Sequence, residues 1–148
     1  MRIRKTELTD EVLSVLISMS EDWEKENNTY GYRRNTKEDI EGNRIFLAEE
    51  DGKCIGYLFG HLRHSENMKA VMPENTPYFE IEELYVIPSC RSRGAGRSLL
   101  DYVSKEVSAE AEYILLSTAS KNRKAILHFY IEEAGMELWS ARLFKKIR

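Results

Sequence analysis

A chain of 148 residues fits one domain of ordinary size and can bury a core without disulfide or metal staples. Its formal net charge of −3 argues against a general nucleic-acid binder, and no apolar run is long enough to cross a bilayer. The two cysteines, Cys54 and Cys90, lack the paired spacing of a zinc or redox site, so a reducing compartment and no metal are expected.

The N-terminal MRIRKTELTDE turns polar too soon for a signal or transit peptide, and a cytoplasmic protein is expected. Residues 1–7 alternate weakly and predict a first strand. Thr9 or Asp10 caps a helix from about Glu11, with Val12, Leu13, Leu16, Ile17, Met19 and Trp23 on one apolar face. Thr36 to Asp39 resembles a capping box that opens a short second helix. Strands follow at 44–49 and 54–61, joined by an Asp51-Gly52 hairpin turn. The polar stretch 65–77 reads as a loop, and 78–87 (YFEIEELYVI) as the strongest strand.

Pro88 ends that strand, and an amphipathic helix carries Leu99, Leu100, Val103 and Val107. Residues 112–118 read as an apolar central strand, 122–133 as a helix closed by Gly135, and 136–147 as a final strand. The order β-α-α-β-β-β-α-β-α-β, with no repeat or linker, predicts one α/β domain spanning 1–148, with helices against a single sheet.

The chemistry concentrates between strand 78–87 and the following helix. A strand that passes through Arg91-Ser92-Arg93-Gly94-Ala95-Gly96 into a helix leaves backbone N–H groups free at the helix N-terminus, where they and the helix dipole attract phosphate oxygens. Gly94 and Gly96 permit close approach, and Arg91, Arg93 and Arg97 add positive charge, so a di- or polyphosphate ligand is expected. Arg97-Ser98 stands where a P-loop needs Lys-Ser/Thr, with too short a glycine spacing. Leu99 stands where a dinucleotide fingerprint needs its third glycine.

Residues 86–100, V-I-P-S-C-R-S-R-G-A-G-R-S-L-L, resemble the acetyl-CoA-binding motif of the GNAT superfamily of N-acetyltransferases, and the element order of the whole chain is similar. The resemblance implies a mixed, mostly antiparallel sheet of about six to seven strands flanked by helices, and acetyl-CoA as acyl donor. It implies that backbone amides from Ser92 through Arg97, with Arg91, Ala95 and Ser98 in the same turn, hold the pyrophosphate. It further implies that the motif strand splays from its neighbour and that Leu84, Tyr85 and Val86 pair with the pantetheine arm. Asn122, Ala125, Phe129-Tyr130 and Gly135 resemble a second family signature, with Tyr130 one residue later than usual. A local helical bulge that absorbs one residue would restore its facing.

Attack on a thioester needs a neutral amine, so a base must collect a proton and a donor must protonate the departing thiolate. Glu80 and Glu82 share a strand face and are candidates for the base, with Glu82 matching an acidic position of the resembled family. Glu83 points the other way unless a bulge turns it, and the resemblance implies a bulge in this strand. Tyr130 is the candidate general acid. The carboxylates Asp22, Glu24, Glu26, Glu80, Glu82 and Glu83, with Tyr30 and Tyr32 as aromatic walls, suit a small cationic amine such as a polyamine or aminoglycoside. A peptide or protein amine remains an alternative acceptor, and a non-catalytic acetyl-CoA-sensing module an alternative role. The resemblance also implies a possible homodimer through the C-terminal strand, which carries Leu138, Trp139 and Phe144.

Overall fold

Thr9 sets where the first helix begins: its hydroxyl accepts the Val12 N–H at 3.1 Å, and α1 runs over Asp10–Glu26. The computed structural model describes residues 1–148. Before α1 lies β1 (Arg2–Thr6). After it come α2 (Lys37–Ile40), β2 (Arg44–Glu50), β3 (Lys53–His64) and β4 (Pro77–Val86). A 3₁₀ turn (Pro88–Cys90) leads to α3 (Ala95–Val107), β5 (Tyr113–Leu116), α4 (Arg123–Leu127) and a π-helical turn, His128–Glu133. The Asp39 carboxylate reaches back to the Thr36 N–H at 2.8 Å to open α2. Asp51 and Gly52 both take positive φ, 53° and 74°, as a two-residue hairpin requires.

The strands form one sheet in chain order, antiparallel from β1 to β4 and parallel between β4 and β5. Alternation sends Phe46, Ala48, Leu58, Phe79 and Ile81 to one face, where Leu99, Leu100, Val103 and Val107 of α3 cover them. Ile45, Leu47, Tyr57, Phe59 and Tyr85 turn to the other, where Val12, Leu16 and Met19 of α1 and Ile40 of α2 cover them. Between these layers the β3–β4 register shifts: Phe59 pairs with Glu83 but Gly60 pairs with Ile81, so Glu82 is an extra residue in β4.

The sheet has five strands, not six to seven. The final strand expected at 136–147 is absent: past Met136 the chain has no regular secondary structure, pairs with no strand and stays exposed from Glu137 through residue 148. β5, expected at the centre, lies at the edge, because that segment does not close onto it. The helix after Asn122 does absorb its extra residue. Ala134 N–H donates to Phe129 O, five residues back, and Met136 N–H to Tyr130 O, both at 2.9 Å, over left-handed Gly135.

Gly60 stands at the register break, where a Cβ would strike the Glu80 carbonyl and come within 2.9 Å of the Phe79 ring. Gly60→Ala is expected to cost about 1–3 kcal/mol of stability. A thermal melt should then show a midpoint lower by roughly 3–10 °C.

Candidate active site

β4 and β5 pair only from Tyr78–Tyr113 to Ile81–Leu116, and past that point they diverge. Ile87 N–H donates to Ile55 O at 2.9 Å on the β3 side. In an antiparallel ladder alternate residues face alternate neighbours, so Leu84 and Val86 turn their N–H and C=O groups toward the gap while Tyr85 bonds to β3. The gap is a cavity of about 940 Å³, lined on one side by Glu82 to Val86 and on the other by Leu116 to Ser120.

At one end of the cavity lies the loop Arg91–Gly94 and the start of α3. Ser92 and Gly94 adopt positive φ, 61° and 89°. None of the N–H groups of residues 92–97 donates to a protein acceptor; the first to do so is Ser98, to Gly94 O at 2.9 Å. Six consecutive free donors at a helix N-terminus form a ready anion cradle. Gly96 faces Phe129, whose ring would lie 3.2 Å from an added Cβ.

The guanidinium groups are engaged elsewhere. Arg91 donates to both oxygens of Glu26, at 2.6 and 2.8 Å, and through Nε to Val86 O at 2.8 Å. Arg93 pairs with Glu50 at 2.7 Å, while Arg97 pairs with Asp101 at 3.0 Å and also reaches Glu133 O. Glu26 also accepts the Tyr85 hydroxyl at 2.6 Å. Burial opposes ionisation of Glu26, yet Arg91 and Tyr85 hold its carboxyl below the usual range.

The extra residue in β4 gathers carboxylates on the α1 face. Glu80 pairs with Arg63 at 3.0 Å, and Glu82 lies 3.7 Å from His61 Nδ1, which is 3.1 Å from Asn43 Oδ1. Burial, then the adjacent Glu80 carboxyl, raises the Glu82 pKa above the ordinary range. Both Glu82 and Glu83 line the cavity; Glu80 does not.

Glu83, Tyr57 and Asn35 form a cluster that sequence reasoning missed. Glu83 Oε1 accepts from Tyr57 OH and Asn35 Nδ2, each at 2.8 Å, and from Tyr32 OH at 3.2 Å, whereas Oε2 makes no hydrogen bond. Tyr32 OH also meets Ser20 Oγ at 2.7 Å, and Ser20 Oγ accepts the Asn35 N–H at 2.7 Å. Burial raises the Glu83 pKa despite the three donors. Trp23 stacks on Tyr32 (4.0 Å between ring centroids) and Tyr85 (5.2 Å), so it walls the cavity as well as packing on the core.

On the far side stand Asn122, Phe129 and Tyr130. The Tyr130 hydroxyl has no protein partner, and burial pushes its pKa up to about 12, so the phenol stays protonated at neutral pH. A bridge crosses the acceptor side: Tyr30 N–H donates to Ala119 O at 2.9 Å and Lys121 N–H to Asn28 O at 2.8 Å. Of the acidic residues expected near an acceptor, Glu24 is held by Arg34, Glu26 by Arg91 and Glu80 by Arg63.

Residues 12–136 match the family model described as the acetyltransferase (GNAT) family. Among solved structures, aminoglycoside N-acetyltransferase AAC(6')-Iy in complex with CoA is similar over 99% of each chain, at 20% identity and a TM-score of 0.69. An aminoglycoside acetyltransferase from an uncultured soil metagenomic sample aligns with 99% of this chain and 96% of its own, at 14% identity and a TM-score of 0.67. Glucosamine-6-phosphate N-acetyltransferase from Arabidopsis thaliana aligns with 99% of this chain and 98% of its own, at 16% identity and 0.65. No curated protein sequence matches the chain significantly.

The Glu83 cluster generates a prediction about stability. Its folded pKa is raised, so ionising it disfavours the fold as pH climbs through the shifted value, and the penalty is absent in acid. Glu83→Gln keeps an acceptor for the three donors and removes that penalty. The variant's melting temperature relative to the parent should therefore rise between pH 4 and pH 8 in paired thermal melts.

Proposed function

The chain belongs to the GNAT acetyltransferase family, whose members use acetyl-CoA, and on that premise we propose that it acetylates a small cationic primary amine by direct attack in a ternary complex. The observation that carries this reading is the pair Glu82 and Glu83, set side by side by the β4 bulge at the point where the cavity opens. Neither is neutralised by an arginine or lysine, whereas the other carboxylates nearby largely are. With the aromatic wall of Trp23 and Tyr32 they favour an ammonium group. The bridge between 28–30 and 119–121 walls the acceptor side, which suits a compact acceptor better than an extended peptide.

The residues present fit the donor. Six free N–H groups from Ser92 to Arg97 offer a cradle for a pyrophosphate, with Ser98 closing the first turn of α3. The outward N–H and C=O of Leu84 and the N–H of Val86 offer a strand edge to an amide-bearing arm, the Val86 carbonyl being held by Arg91. Bound acetyl-CoA supplies the activated acetyl group. Arg91 orders the loop through Glu26 and Val86 O, and Arg93 and Arg97 pin the same turn to Glu50 and Asp101. Asn122, at the start of α4, lines the cavity wall.

Proton movement is assigned to the chain's own groups. Glu82, beside Glu80 and with a raised pKa, takes a proton from the bound ammonium, directly or through water, and frees the neutral amine that attacks. Glu83 holds the ammonium in place through its uncommitted Oε2. Tyr130, protonated and without a partner, donates to the departing sulfur.

Three measurements test this. Following thiol release with a panel of amines, turnover should be confined to polyamine- or aminoglycoside-like acceptors. Turnover of peptides or neutral amines alone would sink the acceptor assignment, and binding of acetyl-CoA without release would favour a sensing role. In the active reaction, Tyr130→Phe and Glu82→Gln should each lower kcat by about 10²–10⁴-fold. The parent's kcat/KM should rise with pH through a value above the ordinary carboxylate range, because the base works only when ionised. Glu82→Gln should abolish that limb, and an unchanged pH profile would remove Glu82 from the mechanism.

A further inference from the structure

Glu83 stands at the end of a hydrogen-bond chain that begins in the core. Ser20 of α1 and Tyr57 of β3 are fully buried, and Asn35 is buried beside them. None of these three lines the cavity, whereas Glu83 and Tyr32 do. Ser20 Oγ accepts the Asn35 N–H and lies 2.7 Å from Tyr32 OH, which lies 3.2 Å from Glu83 Oε1. Tyr57 OH and Asn35 Nδ2 donate to the same Oε1, each at 2.8 Å.

A hydroxyl has one proton to give, and this sets the direction of the chain. Tyr32 gives its proton to ionised Glu83, so Ser20 gives its own to Tyr32 and keeps its lone pairs for the Asn35 N–H. Burial, then the Glu83 charge, pushes the pKa of both phenols up, so each stays a donor. Three donors thus meet on one carboxylate oxygen, which offers about two lone-pair sites. Oε1 is full. Oε2 has no partner, and no buried side-chain oxygen or nitrogen in the molecule lacks one, so Oε2 is open to the cavity.

A single open oxygen discriminates between cations. An ammonium is a compact charge that sits well on one oxygen, whereas a guanidinium is a planar fork that binds best when it meets both. Within this molecule Arg44 takes both oxygens of Glu110, at 2.6 and 2.9 Å, a carboxylate that no other side chain claims. We propose that Ser20, Asn35 and Tyr57 are positioning residues that, with Tyr32, occupy Oε1 and make Glu83 a one-oxygen site selective for alkylammonium over guanidinium groups. The inference rests on the reading of Glu83 as the contact for the acceptor's ammonium, and it narrows the acceptor to amines whose reacting end is not a guanidine. Around Glu83 stand the titratable groups Tyr57 of β3, Tyr32 of the segment before α2, Asp39 of α2 and its chain neighbour Glu82. Burial and Asp39 disfavour its charge, and the three donors oppose them.

Carbon-13 NMR of the glutamate side-chain carboxyls reads this site on the full chain, with the Glu83 signal identified by its loss in Glu83→Gln. Butylammonium and butylguanidinium carry the same charge on the same alkyl chain. Titrated into the parent, each should move the Glu83 signal, the ammonium binding at least about fivefold more tightly. Tyr57→Phe empties a site on Oε1 with little change of shape, and Ser20→Ala loosens the other two donors, Tyr32 and Asn35. Each variant should cut the preference to about twofold or less. Each should also raise the Glu83 pKa, because a donor to the charged form is lost or weakened. A merely structural role would weaken both cations alike and leave their ratio unchanged. A parent that binds the two cations equally, or variants that keep the parent's preference, overturns the proposal and leaves the acceptor reading standing. If neither cation moves the parent's Glu83 signal, Glu83 is not the ammonium contact and the two readings fall together.

Discussion

One inserted residue organises this molecule. Glu82 is extra in the β3–β4 ladder, and a bulge in an antiparallel pair bends the strand and increases its local twist. β4 stops pairing with β5 at Ile81, immediately before the bulge, and the cavity opens there. The same insertion changes which residues share a face. Without it, Glu83 would follow Phe79 and Ile81 toward α3. With it, Glu83 sits with Tyr57, Phe59 and Tyr85 under α1. Cavity, carboxylates and aromatic wall therefore have a common origin in backbone register, and Gly60 allows the close approach that the register break demands.

The phosphate end shows a division of labour between backbone and side chain. Three arginines in seven residues suggest a basic cradle, yet each is held by a carboxylate of its own chain. What stays free is the backbone, six N–H groups with no protein acceptor. Long guanidinium side chains lose rotamer freedom when they clamp a ligand, whereas amides fixed by the positive φ of Ser92 and Gly94 are already ordered. The salt bridges stiffen the loop that aims those amides. The surface charge that could bind anions nonspecifically is largely neutralised.

Local signals were legible in the sequence. Thr9, the Thr36–Asp39 pair, Asp51-Gly52 and the glycine turn before α3 each act within a few residues, and each forms as read. Even the displaced Tyr130 was resolvable, because a one-residue excess in a helix has few solutions and a π-helical turn is one of them. The Glu83 cluster was not legible. Its facing depends on a register shift that the resemblance implied but no local pattern locates, and its donors Tyr32, Asn35 and Tyr57 lie 26 to 51 residues away. The C-terminal segment failed for another reason. Its alternation encodes a strand, but a strand forms only where its backbone meets an edge, and residues 137–148 make no backbone hydrogen bond to the free edge of β5.

The two ends of the cavity are mechanically joined. Glu26, the last residue of α1, receives Arg91 from the phosphate loop and Tyr85 from β4. Tyr85 stacks on Trp23, Trp23 on Tyr32, and Tyr32 donates to Glu83. A chain of packed rings and charge-assisted bonds thus runs from the Arg91–Gly94 loop to the Glu83 carboxylate. Glu26 is partly buried and its charge is matched on the spot, so breaking the Arg91 pair would leave an uncompensated carboxylate under the aromatic wall. Arg91 therefore matters to the acceptor end as much as to the donor end: it anchors the helix that carries Trp23 to the loop that presents the amides. Because Arg91 already ties that loop to Glu26, and Glu26 holds the Tyr85 ring on which Trp23 stacks, both ends of the cavity are shaped by the fold itself before any ligand binds.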